Sequence, residues 1–152
     1  MDSWRSSDSA LYLADLGAIN ADRESTKAFE KRGGQELNPI FGTSKPSGAS
    51  VDTEMLGSAA LVGGAAAALP HEWRSPFMAG VAGLELGLAD QNKSVSKTSK
   101  KQSFSEAVTK PAELGAVFSG IAYALEQHLG GQVTVSPSKD GKAITLTFYK
   151  KF

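Results

Sequence analysis

The sequence predicts an α+β fold: an N-terminal bundle of about three Gly/Ala-rich helices, then a C-terminal amphipathic helix and a two-stranded β-hairpin. Three observations predict it. Leu114, Val117, Phe118, Ile121, Leu125 and Leu129 recur at helical spacing. Past Gly130-Gly131 the period changes to two, with Val133 and Val135, then Ile144, Leu146 and Phe148, alternating with polar residues. Residues 55–70 carry no charge and are mostly Ala and Gly, with Leu56, Leu61, Val62 and Leu69.

Each element has its own signals. A first helix is expected from about Ser9 to Arg32, with Leu11, Leu13, Leu16 and Ile19 as its apolar surface. Asp8 or Ser9 is placed to cap its start, and Gly33-Gly34 to stop it. Pro39 turns Asn38 out of the helical region, so 35–42 reads as an ordered turn and 43–50 as a loop. The Ala/Gly helix ends at Pro70, and His71-Glu72-Trp73-Arg74 makes a polar corner. A further helix follows from Pro76 to about Asn92.

The Ser/Lys run 93–102 has no hydrophobic period and reads as a linker between a helical part, 1–92, and a helix-hairpin module, 103–152. Ser103 and Glu106 match a capping box, and Pro111 places the start of the last main helix near itself. Asp140-Gly141 is a hairpin turn signal.

Composition narrows the chemistry. The chain has 152 residues and no cysteine, which excludes disulfides, thiolate metal sites and a cysteine nucleophile. No phosphate-binding loop or nucleophile elbow is present, and His71 and His128 do not form a helical pair suited to zinc. The expectation is a non-enzyme with neither cofactor nor metal. The net charge is zero but polarised: residues 1–92 hold 7 Lys/Arg against 12 Asp/Glu, and 93–152 hold 9 against 4. Phe148-Tyr149-Lys150-Lys151-Phe152 suits base stacking, yet Phe148 shares its face with Ile144 and Leu146. Core packing therefore accounts for it better than nucleic-acid binding. A helix and a hairpin make a thin core, which favours a homo-oligomer or a protein partner.

Membrane insertion is tested by length and charge. A spanning helix takes about 20 mainly apolar residues; the 55–70 segment is short and rich in Ala, and the next helix contains Glu85 and Asp90. Two features favour a membrane all the same. Ala60, Gly64 and Ala68, and again Ala79, Gly83 and Gly87, fall four apart and form flat stripes on which helices approach closely. Lys93, Lys97, Lys100 and Lys101 follow the last apolar helix, as in segments that meet anionic lipid headgroups. A tightly packed helical hairpin outside any membrane, with a solvated linker, uses the same residues.

A polar set is the candidate site. Asp15 and Asp22 are seven apart and share a helix face with Thr26, while Glu85 and Asn92 are seven apart on theirs; Glu36 and Asn38 lie in the turn. If the helices pack, Asp15, Asp22, Thr26, Glu36, Asn38 and Glu85 form a buried polar cluster. The plainer alternative leaves Asp15 and Asp22 partly solvated and uses Glu36 and Asn38 as caps.

The run from Asp22 through Thr26 to Gly33-Gly34-Gln35-Glu36-Leu37-Asn38-Pro39 and Gly42 resembles small uncharacterised membrane proteins of bacteria and their phages. In those proteins an Asp/Thr-containing helix, a Gly-x-Glu-x-Asn-Pro turn and apolar helices follow one another. The resemblance covers residues 11–92 and implies membrane association in a phage or mobile-element setting, without a known activity. The leading expectation is thus a non-catalytic protein of a bacterial inner membrane or a virion, acting through helix packing and oligomerisation. A cytoplasmic α+β interaction or assembly protein is second, and an enzyme using Asp15, Asp22, Glu36 and Glu85 is third.

Overall fold

In a computed structural model, residues 3–33, 48–98, 103–129, 131–137 and 144–150 are described. Four long helices make the fold: α1 (Ser6–Lys31), α2 (Gly48–Ala68), α3 (His71–Thr98) and α4 (Phe104–Leu129). Two strands follow, β1 (Gly131–Pro137) and β2 (Ile144–Lys150), paired antiparallel with Gly131 opposite Lys150 and Pro137 opposite Ile144.

This overturns the α+β class and its separate helix-hairpin module. The two strands form no layer of their own; β1 lies along α1, α3 and α4. The fold is helical, because α4 packs on α3 along its length and α3 packs on α1. The expected linker is also largely absent, since α3 continues through Lys93 and Ser94 to Thr98. Its Ser, Val and Lys residues lack a Gly or Pro to stop a helix already formed.

Several boundaries move for local reasons. Asp8 is not the cap of α1 but its third residue, and its carboxylate accepts the Arg5 amide at 2.9 Å. Gly33, at φ +86°, closes the other end in the left-handed conformation that suits glycine. α2 begins at Gly48, inside the expected loop, and α3 begins at His71, one turn before Pro76. The capping box of α4 is in place: the Ser103 amide donates to Glu106 at 3.0 Å, and the Glu106 amide donates to the Ser103 hydroxyl at 3.3 Å. The helix therefore starts at Phe104 and runs through Pro111, which removes one backbone N–H donor from its interior. Gly34, the 35–47 turn and loop, Gly130 and the Asp140-Gly141 turn lie outside the described residues.

The core forms three clusters. Ala18 of α1 meets Ala79 and Ala82 of α3 and Phe118 and Ala122 of α4. Ile19 meets Val51, Met55 and Ala59 of α2. Leu11 meets Ala66 and Met78. Leu11, Ala18 and Ile19 thus bury the inner side of α1 while Leu13 stays 66% exposed.

Close approach of α3 and α4 depends on small residues. A Cβ added at Gly83 would lie 2.9 Å from the Leu114 carbonyl oxygen, and one at Gly115 would lie 2.8 Å from that of Gly80. At Gly87 it would lie 2.7 Å from the Cα of Pro111, so Gly87 makes the room that the proline ring occupies. Backbone at that distance has nowhere to move without separating the helices.

No helix among the described residues is long and apolar enough to cross a membrane, which corrects the transmembrane expectation. The reason is chemical: α2 gains its apolar character from Ala and Gly, and α3 carries Arg74, Glu85 and Asp90.

Gly87→Ala is expected to cost about 1–3 kcal/mol through overpacking against Pro111. Gly17→Ala, at an exposed helical position with nothing within 4 Å of the added Cβ, is expected to stabilise by about 0.5–1 kcal/mol. Urea denaturation of the two variants checks the opposite signs.

Candidate functional site

Packing α1 against α3 buries a column of polar side chains. The two helices run parallel, since Asp8 meets Arg74 near their N-terminal ends and Asp22 meets Asn92 near their C-terminal ends. On α1 the carboxylates are Asp8, Asp15 and Asp22, each seven residues from the next. That spacing keeps them on one face over four turns. All three are buried, at 2%, 0% and 5% exposure. The expectation of partly solvated Asp15 and Asp22 is therefore corrected: the face that carries them is the one turned to α3.

At the first level Arg74 is 1% exposed and joins three elements. Its Nη1 donates to Asp8 Oδ2 at 3.1 Å and to the Ser3 carbonyl at 3.1 Å. Its Nε donates to the Leu69 carbonyl at 3.0 Å, and its Nη2 reaches that of Ala67 at 3.5 Å. These carbonyls end α2, where a cation also meets the negative end of the helix dipole. The Trp4 ring lies 5.6 Å from the guanidinium. Glu126 of α4 approaches this level; burial raises its pKa, while a hydrogen bond to Ser75 and the charge of His71 oppose the rise.

At the second level Asp15 is enclosed between α1 and α3, and neither carboxylate oxygen has a hydrogen-bond partner. Burial first, and then the neighbouring charge of Glu85, raise its pKa to about 8; the Ala82 backbone opposes them. Burial likewise raises Glu85 to about 7, with a further push from Glu54 of α2. Both side chains therefore carry a proton over much of the neutral range.

At the third level the Asn92 amide donates to Asp22 Oδ1 at 3.1 Å, Ser25 Oγ at 3.1 Å and Thr26 Oγ1 at 3.0 Å. The Ser25 hydroxyl donates to the Asp22 carbonyl at 2.8 Å.

Of the expected polar set, Asp15 and Glu85 come together, and Asp22 and Thr26 meet at a separate level two turns away. Glu36 and Asn38 lie outside the described residues. The two small-residue stripes part company. Ala79, Gly83 and Gly87 face α4 or the core. Ala60, Gly64 and Ala68 are exposed on α2, and a Cβ on Gly64 would touch nothing within 4 Å. Lys93 is exposed near the end of α3, Lys97 falls in its last turn, and Lys100 and Lys101 lie outside the described residues. Among the described residues no group of three or more His, Asp or Glu is placed to hold a metal ion.

Sequence reading missed Arg74, Glu54 and Tyr12, and took Asp8 for a cap. The signal for Asp8 was present, as it extends the period of Asp15 and Asp22 by one heptad. Arg74 follows Pro70 by four residues and is marked by nothing local.

A second feature is an open apolar groove of about 560 Å³ between α1 and α2, lined by Trp4, Ser9, Tyr12, Leu13, Ala60, Gly63 and Gly64. The Trp4 indole N–H donates to Ser9 Oγ at 2.9 Å, and the Tyr12 hydroxyl donates to the Ala59 carbonyl at 2.9 Å. Trp4 and Tyr12 meet edge to face. With their polar tips turned to the protein, both aromatics offer the groove carbon surface. None of the buried carboxylates lines it.

Comparison with family models, curated proteins and solved structures finds no match to this chain. The phage and virion setting expected from the turn motif therefore has no finding behind it and is set aside.

Arg74→Met is expected to cost about 3–5 kcal/mol, because Asp8 stays buried without its counter-ion. Asp8→Asn costs less, since the guanidinium keeps its carbonyl partners; chemical denaturation ranks the two. Stability should also depend on pH. Between about pH 4 and pH 8 the folded chain holds protons on Asp15 and Glu85 that the unfolded chain has released, so stability is highest at the acid end and falls as pH rises through that window. Each group contributes at most about 1.4 kcal/mol per pH unit. Urea midpoints from pH 5 to pH 9 should fall for the parent protein and flatten in Asp15→Asn.

Proposed function

We propose that the chain is a non-catalytic assembly protein that docks a second copy of itself through the outer face of α2. The observation that carries this reading is that face. Leu56 and Leu61 are 73% and 75% exposed. Around them Gly57, Ala60, Gly64, Ala65, Ala67 and Ala68 are also exposed, and none of these positions carries a charge. Together they cover about half the circumference of the helix, given 100° per residue. The opposite half, Val51, Met55, Ala59 and Ala66, is buried against the rest of the protein.

An uncharged face of small residues with two projecting leucines is self-complementary. It sets no like charges against each other, and Gly and Ala let two backbones come close. The groove beside it, walled by Trp4, Tyr12 and Leu13, offers a recess for a projecting leucine from the other copy. Full burial of a leucine is worth about 1.5–3 kcal/mol, and a two-fold arrangement counts each contact twice. The non-catalytic part of the reading rests on the separation of the two sites. Asp15 is enclosed in the α1–α3 seam with Glu85 beside it, Glu126 lies on α4, and the accessible groove contains no acid, base or metal ligand beyond hydroxyls.

Sedimentation velocity over a concentration series tests this. The parent protein is expected to shift from monomer toward dimer at micromolar concentrations, and Leu56→Glu with Leu61→Glu to remain monomeric at an unchanged melting temperature. A parent protein that stays monomeric at several hundred micromolar overturns the reading.

A further inference from the structure

We propose that the seam between α1 and α3 is a proton-operated latch, closed while Asp15 and Glu85 are protonated and opened when they lose those protons. The geometry sets Asp15 at 0% exposure, with both oxygens unpartnered, against a helix that brings a second carboxyl to the same level. A neutral carboxyl tolerates such a place at modest cost. A carboxylate does not, because the Ala82 backbone alone is too little to replace the water it has lost.

Among the described residues, the charged groups around the seam are engaged elsewhere or are themselves acids. From α3, Asp15 faces Glu85 and the Ala82 backbone. From α2, the nearest acid is Glu54, which adds negative charge through Glu85. On α1 itself, Asp8 is occupied by Arg74 and Asp22 by Asn92. The cations Arg23 and Lys27 are bound to Asp52 at the outer edge of α1 and α2. α4 contributes Glu126 at the Arg74 level, near His71 and Arg5. β1 has no titratable residue in its sequence. Ionisation of Asp15 and Glu85 therefore places like charges across one seam, and no cation among the described residues is placed to absorb them.

The opening should be local. The central α3–α4 contact is made by Gly80, Gly83, Gly87, Pro111, Gly115, Phe118 and Ser119, none of which titrates, while Glu126 meets α3 at Ser75, toward the other end. Raising the pH loads the α1–α3 seam and leaves the central turns of the α3–α4 contact uncharged. The expected open state has α1 lifted from α3 while α3 and α4 stay paired.

Hydrogen-exchange mass spectrometry at pH 6 and pH 9, expressed as protection factors to remove the intrinsic pH dependence of exchange, tests this. Protection of α1 is expected to fall at least tenfold between the two pH values, while protection of the central turns of α4 stays within about twofold. Asp15→Asn, and separately Glu85→Gln, should reduce the fall in α1 to less than threefold; Glu85→Gln serves alone if Asp15→Asn does not fold. The latch is overturned if α1 keeps its protection at pH 9, if α1 and α4 lose protection together, or if the folded variants retain the full pH effect.

Discussion

Arg74 is the constraint from which the arrangement of helices follows. One guanidinium binds the Asp8 carboxylate of α1, carbonyls at the end of α2 and the Ser3 carbonyl, while its own backbone belongs to the first turn of α3. Three helix ends are therefore held at one point. The orientation that results is antiparallel for α1 and α2, and parallel for α1 and α3. A buried ion pair is not in itself a strong source of stability, because removing two charges from water offsets most of their attraction. Its effect here is on register. Sliding α1 along α3 by one turn would leave a guanidinium and a carboxylate buried apart.

Above that anchor, the seam changes chemistry level by level. The first level is ionic, the second is acid facing acid, and the third is a network of neutral and charged hydrogen bonds around Asn92. At the outer levels Asp8 and Asp22 accept hydrogen bonds from Arg74 and Asn92. At the middle level both oxygens of Asp15 lack a side-chain partner, and its protonation depends on the solution. Natural cores leave few buried polar atoms without partners, and Asp15, with both carboxylate oxygens in that state at 0% exposure, marks a place where the fold has little margin and scope for response.

The small residues show how one sequence pattern yields two outcomes. Ala79, Gly83 and Gly87 lie against α4, where a methyl group would collide with Pro111 or the Leu114 carbonyl. Ala60, Gly64 and Ala68 repeat the spacing on α2 but look outward. The side of α2 turned inward is instead the one bearing Val51, Met55 and Ala59, because these fill the space beside Ile19. A helix that is apolar all round can bury either side, and here the better-filling side went in. That left the flatter side uncovered, with the Trp4–Tyr12 groove beside it.

Local signals in the chain were enough for the existence of the helices, the Ser103–Glu106 capping box, the glycine stop at Gly33 and the alternation that becomes β1 and β2. All of these depend on neighbours within a few residues. The heptad of Asp15 and Asp22 was likewise legible as one face, as was the matching Glu85 and Asn92 spacing. Tertiary structure alone decided which way those faces turn, that α4 belongs to the bundle and not to a module of its own, that α3 outlasts the Ser/Lys run, and that Arg74 is the residue at the joint. These are settled by how volumes and charges far apart in sequence meet once helices pack: room at Gly87 for Pro111, a carboxylate at Asp8 for Arg74. No stretch of the chain contains that information by itself, because each requirement exists only in the presence of its partner.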